Sequence, residues 1–355
     1  MTAYIVDIAS CFPPNYYSQE ELTAVLRDSY WRERFTNTGR LERLHRNVQV
    51  DGRYLALPLA GYQALDGFHG HNDAWIQVAT ALGEETLCAL LDQTGVLPHE
   101  IATLVTTTVT GIAVPSLDAR LMNRIPFSPQ LKRIPLFGLG CLGGAAGAAR
   151  VADYLQGHPQ EAAILLAVEL CSLTLQPEDL SIANIIASGL FGDGAAAVLM
   201  VGQDHPLARP GRVQVVANRS FFFPETERIM GWDVTNTGFQ VVLSADVPEI
   251  ARIHLPQCVD TFLAEHDLER GDIASWVAHP GGPKVMEAME EGLELAEGTL
   301  YLSRKSLFRF GNISSVSVLL VLQDTLRCYH PEPGSYGLML AMGPGFAAEL
   351  LLLRW

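Results

Sequence analysis

Positive charge is scarce in this chain: 24 Lys and Arg stand against 39 Asp and Glu, a formal net charge of −15. That deficit argues against a nucleic-acid partner, because binding a polyphosphate begins with clustered cations that displace its counterions. An anionic small molecule would need a local basic patch. No apolar run approaches the roughly 18 residues that a membrane span requires, and Met1-Thr2-Ala3-Tyr4-Ile5-Val6-Asp7-Ile8 has no basic segment ahead of its apolar residues. A soluble, untargeted, cytoplasmic protein is therefore expected. Paired cysteine spacing is also missing. Cys11, Cys88, Cys141, Cys171, Cys258 and Cys328 are scattered, which argues against a disulfide framework or a zinc site and leaves reduced thiols available for chemistry. No P-loop, HExxH, GxSxG or metal-spaced Cys/His cluster occurs, so no metal is expected. What the chain has in quantity is apolar residues, 48% over 355 positions, enough to fill a large α/β core.

Three segments of the first half return in the same order in the second. Glu100-Ile101-Ala102-Thr103-Leu104-Val105-Thr106 matches Asp272-Ile273-Ala274-Ser275-Trp276-Val277-Ala278, in each case an acidic residue leading into a short run that reads as a buried strand. The second of these delivers His279-Pro280-Gly281-Gly282 to its carboxyl end. Leu136 to Cys141 parallels Leu307 to Asn312, and both are read as strand, Gly turn and buried helix. Ile164 to Glu169 parallels Gly337 to Met342. The acidic leader lies 41 residues before Cys141 and 40 before Asn312, which makes those two residues pseudo-symmetry mates in this reading. The pattern implies two similar halves, 1–210 and 211–355, whose central helices are apolar all round because sheets cover both sides. The spacing further predicts a helix from Asp73 to Thr94 capped by Asn72, and another from Val247 to His266 kinked near Pro256.

Cys141 follows Gly140 and opens a helix, a position where backbone N–H groups and the helix dipole favour a thiolate. His279 ends a strand, and strand ends of open α/β sheets are where ligands bind. Together with Asn312 these residues form a plausible thiol-catalysis set: His279 supports the thiolate and donates to a thioester oxygen, and Asn312 supplies a second donor to the oxyanion. Gly138-x-Gly140-x-x-Gly143, with Glu169 ending the next strand, also matches a dinucleotide fingerprint, so an NAD-linked oxidoreductase stands as an alternative.

At Gly140-Cys141, His279-Pro280-Gly281-Gly282, Gly311-Asn312-Ile313-Ser314 and Gly343-Pro344-Gly345-Phe346 the sequence resembles the type III polyketide synthases, the chalcone synthase-like family. Pro13-Pro14-Asn15, Val114-Pro115-Ser116-Leu117-Asp118 and Leu190 to Ala197 extend the likeness over nearly the whole chain. The resemblance implies a homodimer of the αβαβα thiolase fold that loads an acyl-CoA on cysteine, decarboxylates malonyl-CoA, extends the chain and cyclises it, with coenzyme A thioesters as substrates and no bound cofactor. It makes Cys141 the nucleophile, His279 and Asn312 the decarboxylation and oxyanion donors, and Phe191 a gatekeeper beside the acyl tunnel. Thr174, Cys171 and Ser172 would line the cavity, and Arg43 and Arg46 would meet the phosphates of coenzyme A. Val114 would reach across the dimer into the neighbouring cavity. The loop Gly343-Pro344-Gly345 falls at the cyclisation surface, where Ala341-Met342 departs from the family's usual Gly-Phe and argues against plant-type chalcone formation, and Ser314, in the Asn312 motif, would be a further substrate-binding residue. Phe137 to Cys141, Val168 to Thr174 and Met230 to Val234 look most like bacterial alkylpyrone or alkylresorcinol synthases, which accept long fatty acyl-CoA starters. A single-round ketoacyl synthase of the same fold is disfavoured by His279-Pro280-Gly281-Gly282, and a non-catalytic scaffold by the complete Cys, His and Asn set.

Overall fold

The computed structural model describes residues 2–31 and 38–355. Thirteen strands run in chain order as β1 (Ala3–Cys11), β2 (Asn15–Ser18), β3 (Gly52–Leu55), β4 (Ile101–Thr108), β5 (Lys132–Phe137), β6 (Ala162–Leu170), β7 (Asp193–Gly202), β8 (Val213–Phe222), β9 (Met230–Thr235), β10 (Gly238–Leu243), β11 (Ile273–Ala278), β12 (Tyr336–Gly343) and β13 (Ala347–Arg354). Nine of them form one sheet in the order β11-β12-β13-β8-β1-β7-β6-β4-β5, while β2 pairs with β3 and β9 with β10. The two parts of the large sheet meet only at β1 and β8, through Ala3, Tyr4 and Ile5 opposite Val215, Gln214 and Val213. The boundary between 210 and 211 lies in the connection between β7 and β8.

Alternation along the central strands sorts their side chains into layers. In β6, Ala163, Leu165 and Ala167 join a central cluster shared with Met339 and Ala341 of β12, whereas Ile164, Leu166 and Val168 face the helix Gly67–Thr94. On the far side, Leu338, Leu340 and Met342 of β12 pack with Leu255, Val259 and Phe262 of the helix Val247–Ala264. The central cluster is filled by the helices Gly143–Gly157 and Ser317–Asp324. The second of these buries all of Ser317–Gln323, as a helix between two sheets must. Helix, sheet, helix, sheet, helix is the five-layered, thiolase-like order implied by the resemblance, with the buried central helices expected from the duplication.

Parallel pairing of β4 with β5 and β6, and of β11 with β12, puts the carboxyl ends of each set on one edge. Three expectations need correction. Leu307–Phe310 is not a strand but the end of the helix Tyr301–Phe310, whose buried Ser303, Ser306 and Leu307 follow helical spacing; β5 therefore has no counterpart in the second half. By position in the matching 3-10 turns Gly140–Leu142 and Ser314–Val316, Cys141 is paired with Ser315, and Asn312 lies two residues ahead of that turn. The helix expected from Asp73 begins at Gly67, and Asn72 does not cap it. Its side chain instead holds the loop at Ile112, donating to the Ile112 carbonyl and accepting from the Ile112 amide, both at 2.8 Å.

Candidate active site

Cys141 is placed by a turn that favours glycine both in conformation and in space. Gly140 has φ +50°, and a Cβ there would meet Pro344 Cδ at 2.7 Å, so the chain passes close under the Pro344 loop before the helix Gly143–Gly157 begins. A Cβ at Gly143 would lie 2.6 Å from Thr107 Oγ1. The glycine pattern that matched a dinucleotide fingerprint thus serves close packing around the cysteine. Glu169, the acid of that pattern, is buried and already accepts from Ser315 Oγ at 2.5 Å, Thr110 Oγ1 at 2.9 Å and the Val109 amide at 3.0 Å, which leaves it no access to a ribose.

Asn312 is fixed at both backbone and side chain. Its amide donates to Leu190 O at 2.9 Å and its carbonyl accepts from Gly192 N at 3.0 Å, which ties Asn312 to Phe191. Its Oδ1 accepts from Ser314 N at 2.8 Å and its Nδ2 donates to Gly281 O at 3.2 Å. Both side-chain atoms lie 4.0 Å from Cys141 Sγ. His279 follows β11, with its amide bonded to Leu340 O at 2.9 Å. Its ring is 3% exposed and neither nitrogen has a hydrogen-bond partner. A buried imidazole with both nitrogens unmet is costly, and a ligand oxygen at one of them would relieve that cost.

Cys141, His279 and Asn312 line one cavity of about 310 Å³, together with Phe191, Ser314 and Pro344. Most of the remaining wall is apolar, and Lys284, in the first turn of the helix Pro283–Leu293, is its one charged lining residue among those described. A smaller chamber of about 80 Å³ lies beyond, lined by Thr174, Ser172, Tyr62 and Arg53. Cys171, Phe191, Trp232 and Val241 line both spaces and so stand between them.

The remaining expected site residues lie outside these cavities. Val114 is 92% exposed and lines neither space within its own chain. Gly343 is buried behind the wall, where a Cβ would meet Leu139 O at 2.6 Å, and Gly345 faces Phe222. Arg43 and Arg46 are exposed on the helix Thr38–Asn47, whose Leu44 and Asn47 line the larger cavity, so the two arginines occupy the outer side of that helix.

Electrostatics correct one expectation. Burial pushes the Cys141 thiol up to about 12, with the Glu169 charge adding to the effect and bonds from Ser314 and Asn312 opposing it. Burial also pushes His279 down to about 3. Both groups are therefore neutral at pH 7, and the helix start does not by itself yield a thiolate. Proton transfer from Sγ to the imidazole would place opposite charges in one cavity, where their attraction offsets the penalty that each bears alone.

Three features escaped the sequence reading: Glu169 as a buried carboxylate, Lys284 and Arg53. Glu169 left a signal, an acid closing the wholly apolar run Ile164 to Val168. Lys284 also left one, a cation directly after the His279 turn.

Comparison with known proteins gives a consistent result. The family model for chalcone and stilbene synthases, N-terminal domain, matches residues 2–205, and the model for the C-terminal domain matches 214–355. A 1,3,6,8-tetrahydroxynaphthalene synthase of Streptomyces peucetius is 47% identical over 99% of this chain and 93% of its own length. A putative chalcone synthase of Bacillus subtilis is 35% identical over 99% of both. Among solved structures, the 1,3,6,8-tetrahydroxynaphthalene synthase of Streptomyces coelicolor superimposes with a TM-score of 0.92 at 29% identity over 99% of both chains.

Proposed function

The chain belongs to the chalcone and stilbene synthase family and is a type III polyketide synthase, and from that premise we propose that it condenses an acyl-CoA with malonyl-CoA on Cys141. The observation that carries this reading is a thiol, an amide and an unpartnered imidazole on one buried cavity. In the loading step Cys141 Sγ gives its proton to His279 and attacks the thioester carbonyl. Coenzyme A leaves as a thiolate and takes the proton back from His279. In the extension step the malonyl C–C bond breaks, carbon dioxide departs, and the electron pair enters an enolate whose oxygen accepts from His279 Nε2–H and Asn312 Nδ2. The enolate carbon then attacks the Cys141 thioester, forming the new C–C bond and expelling the thiolate. Atoms and electrons balance without a metal or a redox cofactor.

The starter is the finer question. The apolar wall suits the long fatty acyl chain and alkylpyrone product expected from the resemblance. A short starter is favoured by two observations. The inner chamber has only about 80 Å³ and carries, in an otherwise mostly apolar wall, the polar groups of Arg53, Tyr62 and Ser172. The 47% identical relative is named for a product, tetrahydroxynaphthalene, that carries no alkyl chain. The family resemblance also implies a dimer, and the exposure of Val114, of Ile112 two residues before it and of Phe137 at the end of β5 supports a contact there.

Wild-type protein and Cys141→Ala, incubated with malonyl-CoA alone and with acyl-CoA starters of increasing length, test the reading. Polyketide from the wild type and none from the variant is expected; equal malonyl-CoA conversion into polyketide by Cys141→Ala would end it. Alkylpyrones from long starters in preference to malonyl-only products would restore the fatty acyl reading.

A further inference from the structure

Arg53, in β3, is 2% exposed, and its Nε and Nη1 have no hydrogen-bond partner. It forms no ion pair among the described residues. Asp193, the acid nearest in charge influence, is occupied elsewhere, accepting from Ala56 N at 2.6 Å, Ser172 N at 2.8 Å and Ser172 Oγ. His45, a titratable neighbour alongside Tyr62 and Cys171, is spoken for by Thr23 Oγ1 at 2.9 Å and Ile185 O at 3.1 Å. A buried guanidinium with two nitrogens unmet is unfavourable even with the Asp193 charge nearby, and its planar fork suits two oxygens held side by side.

The fold makes room for this side chain. A Cβ at Gly311 would lie 3.1 Å from Arg53 Cδ, and one at Gly192 would lie 3.6 Å from Arg53 Cγ. Arg53 thus runs past the residues that flank the Phe191 and Asn312 bridge, and it reaches the inner chamber, of which it is the only charged lining residue among those described.

We propose that the inner chamber is an oxyanion site for the leading end of the acyl chain, where Arg53 receives a carboxylate or the enolate of a 1,3-diketone from a chain growing on Cys141 past Phe191. An alkyl end would leave the guanidinium unmet, so the chamber selects malonyl-derived, oxygenated chains over fatty acyl ones. The inference rests on the condensing role of Cys141 and names the substrate class that this role serves.

The test compares full-length wild type, Arg53→Met and Arg53→Lys with malonyl-CoA alone and with malonyl-CoA plus octanoyl-CoA, with products resolved by liquid chromatography and mass spectrometry. Arg53→Met should lower malonyl-only products longer than three units by about tenfold to a hundredfold, the range expected for a lost charge-assisted contact. The ratio of malonyl-primed to octanoyl-primed product should fall by a similar factor, because an octanoyl end makes no such contact. Arg53→Lys, which keeps the charge without the fork, should fall between the two. It carries the test alone if circular dichroism shows Arg53→Met unfolded. Succinyl-CoA and butyryl-CoA starters separate the two sources. A carboxylate site makes Arg53→Met lose succinyl preference at the first extension, whereas an enolate site shows the loss only after the second. An unchanged ratio of malonyl-primed to octanoyl-primed product, or an equal fall in both, overturns the proposal. A wild type inert with every starter instead removes the condensing reading beneath it.

Discussion

Replacing Asn312 separates a chemical role from a structural one. The amide is held by Ser314 N at 2.8 Å and Gly281 O at 3.2 Å and stands 4.0 Å from Cys141 Sγ. Asn312→Ala removes one donor to the enolate oxygen, a loss of about 10²–10³ in rate for an oxyanion-hole donor. It also orphans the Ser314 amide and the Gly281 carbonyl, each costing about 1–3 kcal/mol of stability when buried. Asn312→Asp keeps an acceptor for Ser314 N, so it recovers part of the stability. It also turns an oxygen toward both the Gly281 carbonyl and the enolate, so it recovers none of the rate. The assay is carbon dioxide release from malonyl-CoA, run beside thermal unfolding of both variants, with acyl transfer to Cys141 followed by mass spectrometry as a control that should persist. A decarboxylation rate that tracks stability, highest in Asn312→Asp, would refute the reasoning.

Glu169→Gln tests the buried carboxylate through pH. Burial, opposed by bonds from Ser315, Val109 N, Thr110 and Thr108, raises Glu169 to about 7 in the folded chain against an ordinary 4.5. The folded protein therefore keeps a proton that the unfolded chain loses, and this contribution is full below about pH 4.5 and lost as pH rises through about 7, a change of about 3 kcal/mol. The variant should gain stability relative to wild type between pH 5 and 8 in denaturant titrations, and a pH-independent difference would contradict the assignment. The lowered His279 acts in the opposite sense, its contribution present above about 6.5 and lost as pH falls toward about 3, and it cancels in that comparison. Phe191→Ala should join the two cavities and lengthen the chains released, read as a shift of product mass; an unchanged distribution would show that the ring does not limit growth. Gly140→Ala, with φ +50° and Pro344 Cδ 2.7 Å from the new Cβ, should cost about 1–3 kcal/mol of stability, measured by chemical denaturation.

The layered fold was legible because its central strands are fully buried and read as unbroken apolar runs, and because the matched order of β4, β6 and β12 with β11 survives without an alignment. The set of Cys141, His279 and Asn312 was legible because each follows a strand or helix end marked by glycine or an apolar run. Leu307–Phe310 was misread because four residues cannot distinguish a helix end from a strand; the spacing of Ser303, Ser306 and Leu307 was needed. Thiol chemistry was misjudged for a different reason. A helix start is visible in sequence, but the desolvation that lifts Cys141 depends on walls brought by Cys171 after β6, His279 after β11 and the Pro344 loop. Arg53 was hidden for the same reason, since an arginine in Gly52-Arg53-Tyr54-Leu55 reads as surface until Gly192 and Gly311 close around it.

The central claim is that the growing chain is carried on Cys141. Intact-protein mass spectrometry after a short incubation with acyl-CoA, followed by peptide mapping, measures this directly. The account predicts one acyl adduct, located on Cys141 and absent from Cys141→Ala. Polyketide formation with no adduct there, or with the acyl group on an exposed thiol such as Cys88 or Cys328, would contradict it.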